Sequence, residues 1–290
     1  VDVGLDVNDF SRRLSFFFNA HNDFLEEIAK FRAARRLWGS IMENRFSASH
    51  PDALKLRFHT QTAGSTLTAQ QPHNNVVRVA MQALAAVLGG TQSLHTNSLD
   101  ETWALPSEWA AKIALRTQQI IAHESGVVNT VDPLAGSYFI ENLTNRLEYE
   151  AGIYFDKIES FGGVIPAIDA GFFQKEIAHS ARQYQDEIEN NERMIVGVNV
   201  FADKHEKLDI PILRVDSEIE KQQIRKLSEL RSTRSAEAVE LTLRDLAEAA
   251  HNESNLMPKF IACAKAYATI GEMIAVLKKQ FGEYKEPVIF

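Results

Sequence analysis

The first 136 residues repeat one pattern three times: a short strand with apolar residues, then a helix with an apolar stripe. The repeat has a period of about 40 residues. The predicted strands cover residues 12–18, 54–59 and 91–96. Strands that alternate with helices pair in parallel through right-handed crossovers. The spacing therefore predicts an α/β fold with a parallel sheet.

Each predicted helix in this part carries its own start or stop signal. Asp23 and Glu26 form a capping-box pattern for a helix that runs to about residue 46. Pro72 opens a second helix, which ends at the glycine pair 89–90. A third helix begins at residues 106–107 and runs to about residue 123. We expect these helices to cover one face of the sheet.

Three βα units are too few to close a barrel, and in a (β/α)8 TIM barrel they would be the last three of eight. Ligand sites in barrels and in open α/β sheets lie at the carboxyl ends of the strands. Polar residues follow each predicted strand: Asn19, His21 and Asn22; His59 and Gln61; His95, Asn97, Asp100 and Glu101. These ends are therefore the predicted site.

Residues 137–290 have a different pattern, which predicts a mostly α-helical region and a domain division at 136/137. Two short strands are predicted at 195–201 and 212–215, on either side of a charged loop at 202–209. Capping patterns begin later helices at Ser217, Ser235 and Thr269. No catalytic set of residues occurs in this region, so we expect it to serve packing and assembly.

Composition excludes several classes of protein. The chain is 45% hydrophobic with a net charge of −8 and has no basic stripe, which argues against nucleic acid as a partner. No apolar run approaches the roughly 18 residues of a membrane span. The single cysteine, Cys263, lies in an apolar helical pattern, which predicts a buried thiol and a cytoplasmic location. The first residue is not Met, and we expect the chain to begin within a longer protein.

Motif searches argue against the common hydrolytic and nucleotide-binding sites. His21, His59 and His95 follow successive strands, but their neighbours are neutral amides and hydroxyls, and no HExxH or H-x-H pattern occurs. No metal site is therefore predicted. The chain also lacks a G-x-S-x-G turn, a P-loop and a G-x-G-x-x-G motif.

The loop at 60–70 is rich in small, uncharged hydrogen-bonding residues around Gly64. Such a loop suits close contact with a large ligand, although a hydrogen-bonded surface loop has the same composition. Two charged residues fit ordinary structural roles better when the residues are considered alone. Glu101 suits the positive end of a helix dipole, and Arg13 suits either a surface ion pair or a phosphate clamp.

Three segments carry a resemblance to a known family: RLSFFFNAHNDF at 13–24, RFHTQTAGSTLTAQQP at 57–72 and GGTQSLHTNSLDE at 89–101. They resemble the large, substrate-binding subunit of the adenosylcobalamin-dependent acyl-CoA mutases, the family of methylmalonyl-CoA mutase. The resemblance covers nearly the whole chain. It implies a TIM barrel with acyl-CoA along its axis and adenosylcobalamin over its carboxyl-terminal mouth. It also implies an isomerase that interconverts methylmalonyl-CoA and succinyl-CoA by a radical 1,2-shift.

The resemblance also implies roles for individual residues. Arg13, Leu14 and Ser15 would bind the CoA part of the substrate, and Phe17 would line the acyl pocket. His59 and Gln61 would be the catalytic residues that hydrogen-bond the acyl-CoA. Gln61, Gly64, Glu101 and Thr102 would contact the cofactor.

This sequence departs from the family pattern at three points. The first five βα units are absent from it, so we expect the amino-terminal part of the barrel to complete the site. The cobalt-binding motif D-x-H-x-x-G is also absent, since the nearest match at 203–208 ends in Leu. We therefore expect a separate cobalamin-binding subunit or domain, in an oligomeric assembly.

The third departure concerns substrate choice. Ser65 replaces a Trp of some members, and residues 19–22 are more polar than in those members. Mutases for isobutyryl-CoA, 2-hydroxyisobutyryl-CoA or ethylmalonyl-CoA stay open as alternatives. A non-catalytic assembly subunit is a further alternative, but such a subunit would be expected to lose Gln61, Gly64 and Glu101.

Overall fold

The computed structural model describes residues 1, 3–203, 205–206 and 210–285. Its three strands are β1 (Phe16–Ala20), β2 (Phe58–Thr62) and β3 (Ser93–His95). Its α-helices are α1 (Val7–Phe10), α2 (Phe24–Asn44), α3 (Asn75–Leu88), α4 (Glu108–Glu124), α5 (Tyr138–Ser160), α6 (Val164–Asp169), α7 (Phe172–Glu189), α8 (Ser217–Thr233), α9 (Ala236–His251), α10 (Met257–Lys265) and α11 (Ile270–Phe281). Short 3-10 turns lie at Ser11–Arg13, Gly64–Thr66, Pro72–Asn74 and Val127–Asn129.

The three strands form one parallel sheet in the order β1-β2-β3. This confirms the predicted α/β class and the parallel pairing of successive βα units. The strand bounds differ from the prediction, because Ser11–Arg13 form a turn before β1. β2 extends through Thr60 and Thr62, whose side chains are fully buried. A hydroxyl can be buried when it is hydrogen-bonded, as Thr60 is to Thr91 at 2.9 Å.

One face of the sheet packs against α2 and α3 to form the main core. Phe18 and Phe58 lie on this face and meet Phe31 of α2 at ring-centroid distances of 5.9 and 5.3 Å. Phe16 packs edge-on against Trp38 at 4.8 Å. Because side chains alternate along a strand, the intervening residues of β1, β2 and β3 point to the opposite face.

Side-chain caps begin most of the helices where the sequence predicts them. Asp23 accepts the Glu26 N–H, and Ser107, Ser235 and Thr269 cap α4, α9 and α11. The cap predicted at Ser217 is wrong, since Asp216 accepts the Glu218 N–H instead. Among the described residues, no helix is both long and apolar enough to cross a membrane.

The chain forms two compact units, Val1–Arg214 and Val215–Phe290. The pattern change predicted at 136/137 marks the start of the helical region, but α5 still packs on α2. Arg32 of α2 bonds Glu141 of α5 at 2.8 Å and Asp132, just before α5, at 3.0 Å. Helices up to α7 therefore belong to the same compact unit as the sheet.

The two strands predicted after α7 are wrong. Residues 195–201 form a turn closed by an isolated bridge between Val196 and Val200, and residues 212–215 have no regular structure. The apolar residues here lie in a short segment that turns at Gly197, where φ is +84° and extended pairing stops. Residues 204 and 207–209 of the charged loop lie outside the described residues, as do residues 286–290.

The unit Val215–Phe290 has its own small core, in which α9 packs against α10 and α11. Cys263 is fully buried there, as predicted, and its Sγ lies 3.3 Å from the Thr242 carbonyl oxygen. Glu272 forms a reciprocal capping box with Thr269 and a bidentate pair with Arg234. Arg234 also donates to the Tyr267 carbonyl at 2.8 Å, so one guanidinium joins the start of α9 to that of α11.

The ion pair between Arg234 and Glu272 should contribute to stability in a way that depends on pH. Hydrogen bonds from Arg234 and Thr269 lower the pKa of Glu272 from 4.5 to about 2. Because the folded-state pKa is the lower one, the stabilisation is present above about pH 4.5 and is lost as the pH falls toward 2. Glu272→Gln should lower the free energy of unfolding by about 1 kcal/mol at pH 7 and by less at pH 3.

Denaturant unfolding at both pH values measures this effect. The control is Glu218→Gln, which removes an exposed pair with Lys221 and should change stability by less than about 0.5 kcal/mol. An equal loss for Glu272→Gln at pH 7 and pH 3 would contradict the expectation.

Candidate functional site

The open face of the sheet carries two rows of side chains that the strand register aligns. Phe17, His59 and Ser93 form the first row, and Asn19, Gln61 and His95 form the second. On each strand, the residue of the second row lies two positions nearer the carboxyl end than the residue of the first row. Both rows are free of carboxylates, and Phe17 is 59% exposed. The face is therefore a polar, hydrogen-bonding surface without acidic groups, on which the Phe17 ring is exposed.

His59 is held between its neighbours in the first row. Its Nδ1 lies 2.7 Å from the Ser93 hydroxyl, and its ring lies 5.1 Å from the Phe17 ring at an angle of 44°. These contacts fix the position of the imidazole and leave Nε2 without a protein partner among the described residues.

Gln61, in the second row, meets the loop that follows β3. Its Nε2 donates to Asn97 Oδ1 at 3.3 Å, and the Thr62 hydroxyl donates to the same oxygen at 3.1 Å. The backbone N–H of Asn97 in turn donates to that hydroxyl at 2.9 Å. Asn97 is 2% exposed, yet its Nδ2 has no partner among the described residues. A buried amide donor without an acceptor is costly, so this atom marks a point where the site is incomplete as described.

Gly64 faces that unpaired donor. A Cβ at this position would lie 2.8 Å from Asn97 Nδ2 and 2.3 Å from Glu101 Oε1. Gly64, from the loop after β2, thus meets Asn97 and Glu101, from the loop after β3, at the carboxyl ends of these strands. Thr102, next to Glu101, donates to the Thr68 carbonyl at 3.3 Å and ties the two loops together.

The crowding around Gly64 predicts that two glycine substitutions change the free energy of unfolding in opposite directions. Gly64→Ala should lower the free energy of unfolding by about 1–2 kcal/mol, because buried Asn97 must shift to admit the methyl group. Gly152→Ala is the matched control: it lies within α5 with nothing within 4 Å of the added Cβ. It should raise stability by about 0.5–1 kcal/mol. Denaturant unfolding decides, and equal effects of the two substitutions would contradict the crowding at Gly64.

Two buried amides of α3 hold the loop after β2 in place. Gln82 Oε1 accepts the Ala63 N–H at 3.0 Å, and its Nε2 donates to the Thr66 hydroxyl at 2.7 Å. Asn75 accepts the Thr68 N–H at 3.1 Å and donates to the Thr68 carbonyl at 2.9 Å. The loop is therefore bonded at both ends to one rigid helix.

Arg13, Leu14 and Ser15 lie at the amino-terminal end of β1, away from these loops, and all three are exposed. Phe17 lies four positions after Arg13, a distance of about 13 Å along extended chain. The predicted site residues therefore do not form one cluster. Three positions lie before the sheet face, three on it, and three in the loops beyond it, and their roles stay predictions.

The three histidines that follow the strands do not meet at a metal-binding point. Among the described residues, no group of three or more His, Cys, Asp or Glu side chains could hold a metal ion. Burial lowers the pKa of His21, which packs edge-on against Tyr184 of α7 at 5.9 Å. His21, Tyr184 and Ser65 line a cavity of about 610 Å³ at the rim of the sheet.

Asn97 was among the polar residues predicted to follow the strands, but the supporting residues Ser93, Asn75 and Gln82 were missed. Asn75 and Gln82 carried a usable signal, because they lie two turns apart on one face of a helix whose only other polar residue is Arg78. Ser93 carried no such signal, and Asn97 carried none for its particular partners. Their partners are distant in sequence and become evident only through the register of β2 and β3.

Known proteins show the same sequence pattern. The family model described as methylmalonyl-CoA mutase matches residues 1–283. The chain is 46% identical over 289 residues to the 2-hydroxyisobutanoyl-CoA mutase large subunit of Aquincola tertiaricarbonis, covering 99% of this chain and 51% of that protein. It is 43% identical over 283 residues to a methylmalonyl-CoA mutase of Rhizobium meliloti, covering 97% of this chain and 40% of that protein.

A methylmalonyl-CoA mutase large subunit from Porphyromonas gingivalis is 41% identical, with 98% of this chain and 40% of that protein covered. The chain thus spans about half, or less, of the length of these curated relatives. The family match extends over the open sheet face and the loops around Gly64 and Glu101, as well as the helices after α4. The chain belongs to the methylmalonyl-CoA mutase family.

Proposed function

We propose that the complete protein is an adenosylcobalamin-dependent acyl-CoA mutase, an isomerase. This chain would supply the last three βα units of a (β/α)8 TIM barrel and the helical region of the large, substrate-binding subunit. The observation that carries the proposal is the open sheet face. Its register aligns Phe17 with His59 and Asn19 with Gln61, and the face is polar where a covered sheet would be apolar. The open face would line the interior of the barrel.

The loops beyond the face fit the proposed cofactor. Gly64 leaves space that a Cβ would fill, and Asn97 Nδ2 is a buried donor in need of an acceptor. Gln61, Gly64, Glu101 and Thr102 would hold adenosylcobalamin at this edge. When it is bound, the cofactor supplies the radical chemistry of the 1,2-shift. Its other contacts would come from a separate cobalamin-binding subunit or domain, since these 290 residues contain no cobalt-binding motif.

The residues of this chain would bind and orient the substrate. Arg13, Leu14 and Ser15 would bind the CoA part, with the guanidinium suited to a phosphate. His59 and Gln61 would hydrogen-bond the acyl group, and Phe17 would cover it and exclude water. Neutral groups suit this role, since orientation requires hydrogen bonds and the shift needs no proton transfer to an acid or base.

For the substrate, we propose methylmalonyl-CoA and succinyl-CoA, which fits the names of the Rhizobium meliloti and Porphyromonas gingivalis relatives. The name of the Aquincola tertiaricarbonis relative favours 2-hydroxyisobutanoyl-CoA as the alternative. A non-catalytic assembly subunit is less favoured, because Gln61, Gly64 and Glu101 are all present. We further propose an oligomer in the cytoplasm.

The proposal is tested by turnover of the complete polypeptide, reconstituted with adenosylcobalamin and its cobalamin-binding subunit or domain. Methylmalonyl-CoA should be converted to succinyl-CoA, with 2-hydroxyisobutanoyl-CoA as the parallel substrate. The 290-residue chain with added cofactor should give no product, because it lacks five barrel units and the cobalt-binding motif. Turnover by this chain alone, or no turnover of either substrate by the complete protein, would overturn the proposal.

A further inference from the structure

Ser93 lies beside His59 on the open sheet face and bonds its imidazole. The Ser93 hydroxyl is 2.7 Å from His59 Nδ1, and the strand register places the two residues directly opposite each other. Within the described part of the chain, this hydroxyl makes no other hydrogen bond. We propose that Ser93 is a positioning residue, which holds His59 as the neutral tautomer with its proton on Nε2 and directs that proton at an acyl-CoA oxygen.

The direction of the hydrogen bond follows from the chemistry of both partners. A thioester or carboxylate oxygen only accepts hydrogen bonds, so His59 can bind it only with a proton on Nε2. The neutral imidazole then has an acceptor at Nδ1. A backbone carbonyl beside Nδ1 would demand the opposite tautomer, whereas a serine hydroxyl can rotate and donate to it. Ser93 is therefore compatible with the tautomer that the ligand requires.

The orientation of the ring is fixed from both neighbouring strands. Ser93 on β3 bonds one edge of the imidazole, and Phe17 on β1 packs against its face at 5.1 Å. These contacts lie in one row of the sheet, so the backbone register sets their spacing. Residues preorganised in this way lose little freedom when a ligand binds. The inference rests on the proposed function, because it takes the ligand to be an acyl-CoA.

The test measures binding of methylmalonyl-CoA by calorimetry, using the complete polypeptide in its assembly without cobalamin. Ser93→Ala should raise the Kd about three- to tenfold, since one hydrogen bond that orients His59 is lost. Ser93→Thr keeps the hydroxyl and should restore binding to within about twofold. In a His59→Ala background, Ser93→Ala should have no further effect, because a residue that acts through His59 is coupled to it. Thermal unfolding of each variant serves as the control for folding.

Failure of the proposed function and failure of the Ser93 inference would give different results. If the wild-type assembly does not bind methylmalonyl-CoA or 2-hydroxyisobutanoyl-CoA, the proposed function fails and the inference fails with it. If the wild type binds but Ser93→Ala binds equally well, the inference alone is wrong. It is also wrong if the effects of Ser93→Ala and His59→Ala simply add, or if Ser93→Thr behaves like Ser93→Ala.

Discussion

Gln61→Ala should lower the turnover of the complete enzyme by about ten- to a hundredfold. The amide of Gln61 lies on the open face and can donate and accept at once, so it can orient an acyl group without supplying an acid. In the proposed site of the complete protein, its loss would remove one or two hydrogen bonds and would leave polar atoms of the substrate unpaired.

The same substitution should leave folding nearly unchanged. Asn97 Oδ1 keeps its hydrogen bond from the Thr62 hydroxyl when Gln61 is removed. Steady-state kinetics and thermal unfolding are measured on the same samples, with Gln70→Ala as the control at an exposed position of the same loop. Early melting of Gln61→Ala, with normal turnover by the folded fraction, would make Gln61 a structural residue and contradict its place in the site.

Gln82→Ala should lower the free energy of unfolding by about 3–4 kcal/mol. The Gln82 side chain is 1% exposed and bonds the Ala63 N–H, the Thr66 hydroxyl and Asn22 Oδ1. Alanine removes all three hydrogen bonds and opens a void beneath the loop, although the Ala63 N–H keeps the Ala20 carbonyl and the Thr66 hydroxyl keeps the Ala63 carbonyl. Because the loop carries Gly64, turnover of the folded protein should fall as well.

Denaturant unfolding of Gln82→Ala is compared with Met81→Ala, which truncates the adjacent, half-exposed side chain of α3. The control should lose less than about 1 kcal/mol. Equal losses in the two variants would show that Gln82 stabilises the protein no more than its neighbour in α3 does, and that it does not hold the loop.

The parallel sheet was predictable from the sequence because the strand–helix spacing repeats and its helices have caps such as Asp23 and Ser107. The strand bounds were not predictable to the residue. Thr60, Gln61 and Thr62 have the composition of a loop, and β2 includes them because Thr91 and Asn97 satisfy the buried hydroxyls of Thr60 and Thr62. Local composition cannot reveal a partner that is more than 30 residues away.

The candidate site, like the fold, could be predicted only in part. His59 and Gln61 were identified from a strand followed by polar residues, and the resemblance gave them a role. Ser93 was not identified, and the contact between Asn97 and Gln61 was not predicted, because only the register of β2 with β3 brings these residues together. A helical region after residue 136 was predicted, but the packing of α5 on α2 through Arg32 was not, since no periodic pattern specifies which distant carboxylate an arginine will meet.

We propose that the open face of the sheet is the acyl-CoA site of the complete protein, and a crystal structure of the complete polypeptide with bound methylmalonyl-CoA is the decisive experiment. We expect the acyl group against Phe17, with its oxygens within hydrogen-bond distance of His59 Nε2 and the Gln61 amide. A structure in which this face packs against another part of the protein, with the acyl-CoA bound elsewhere, would contradict it.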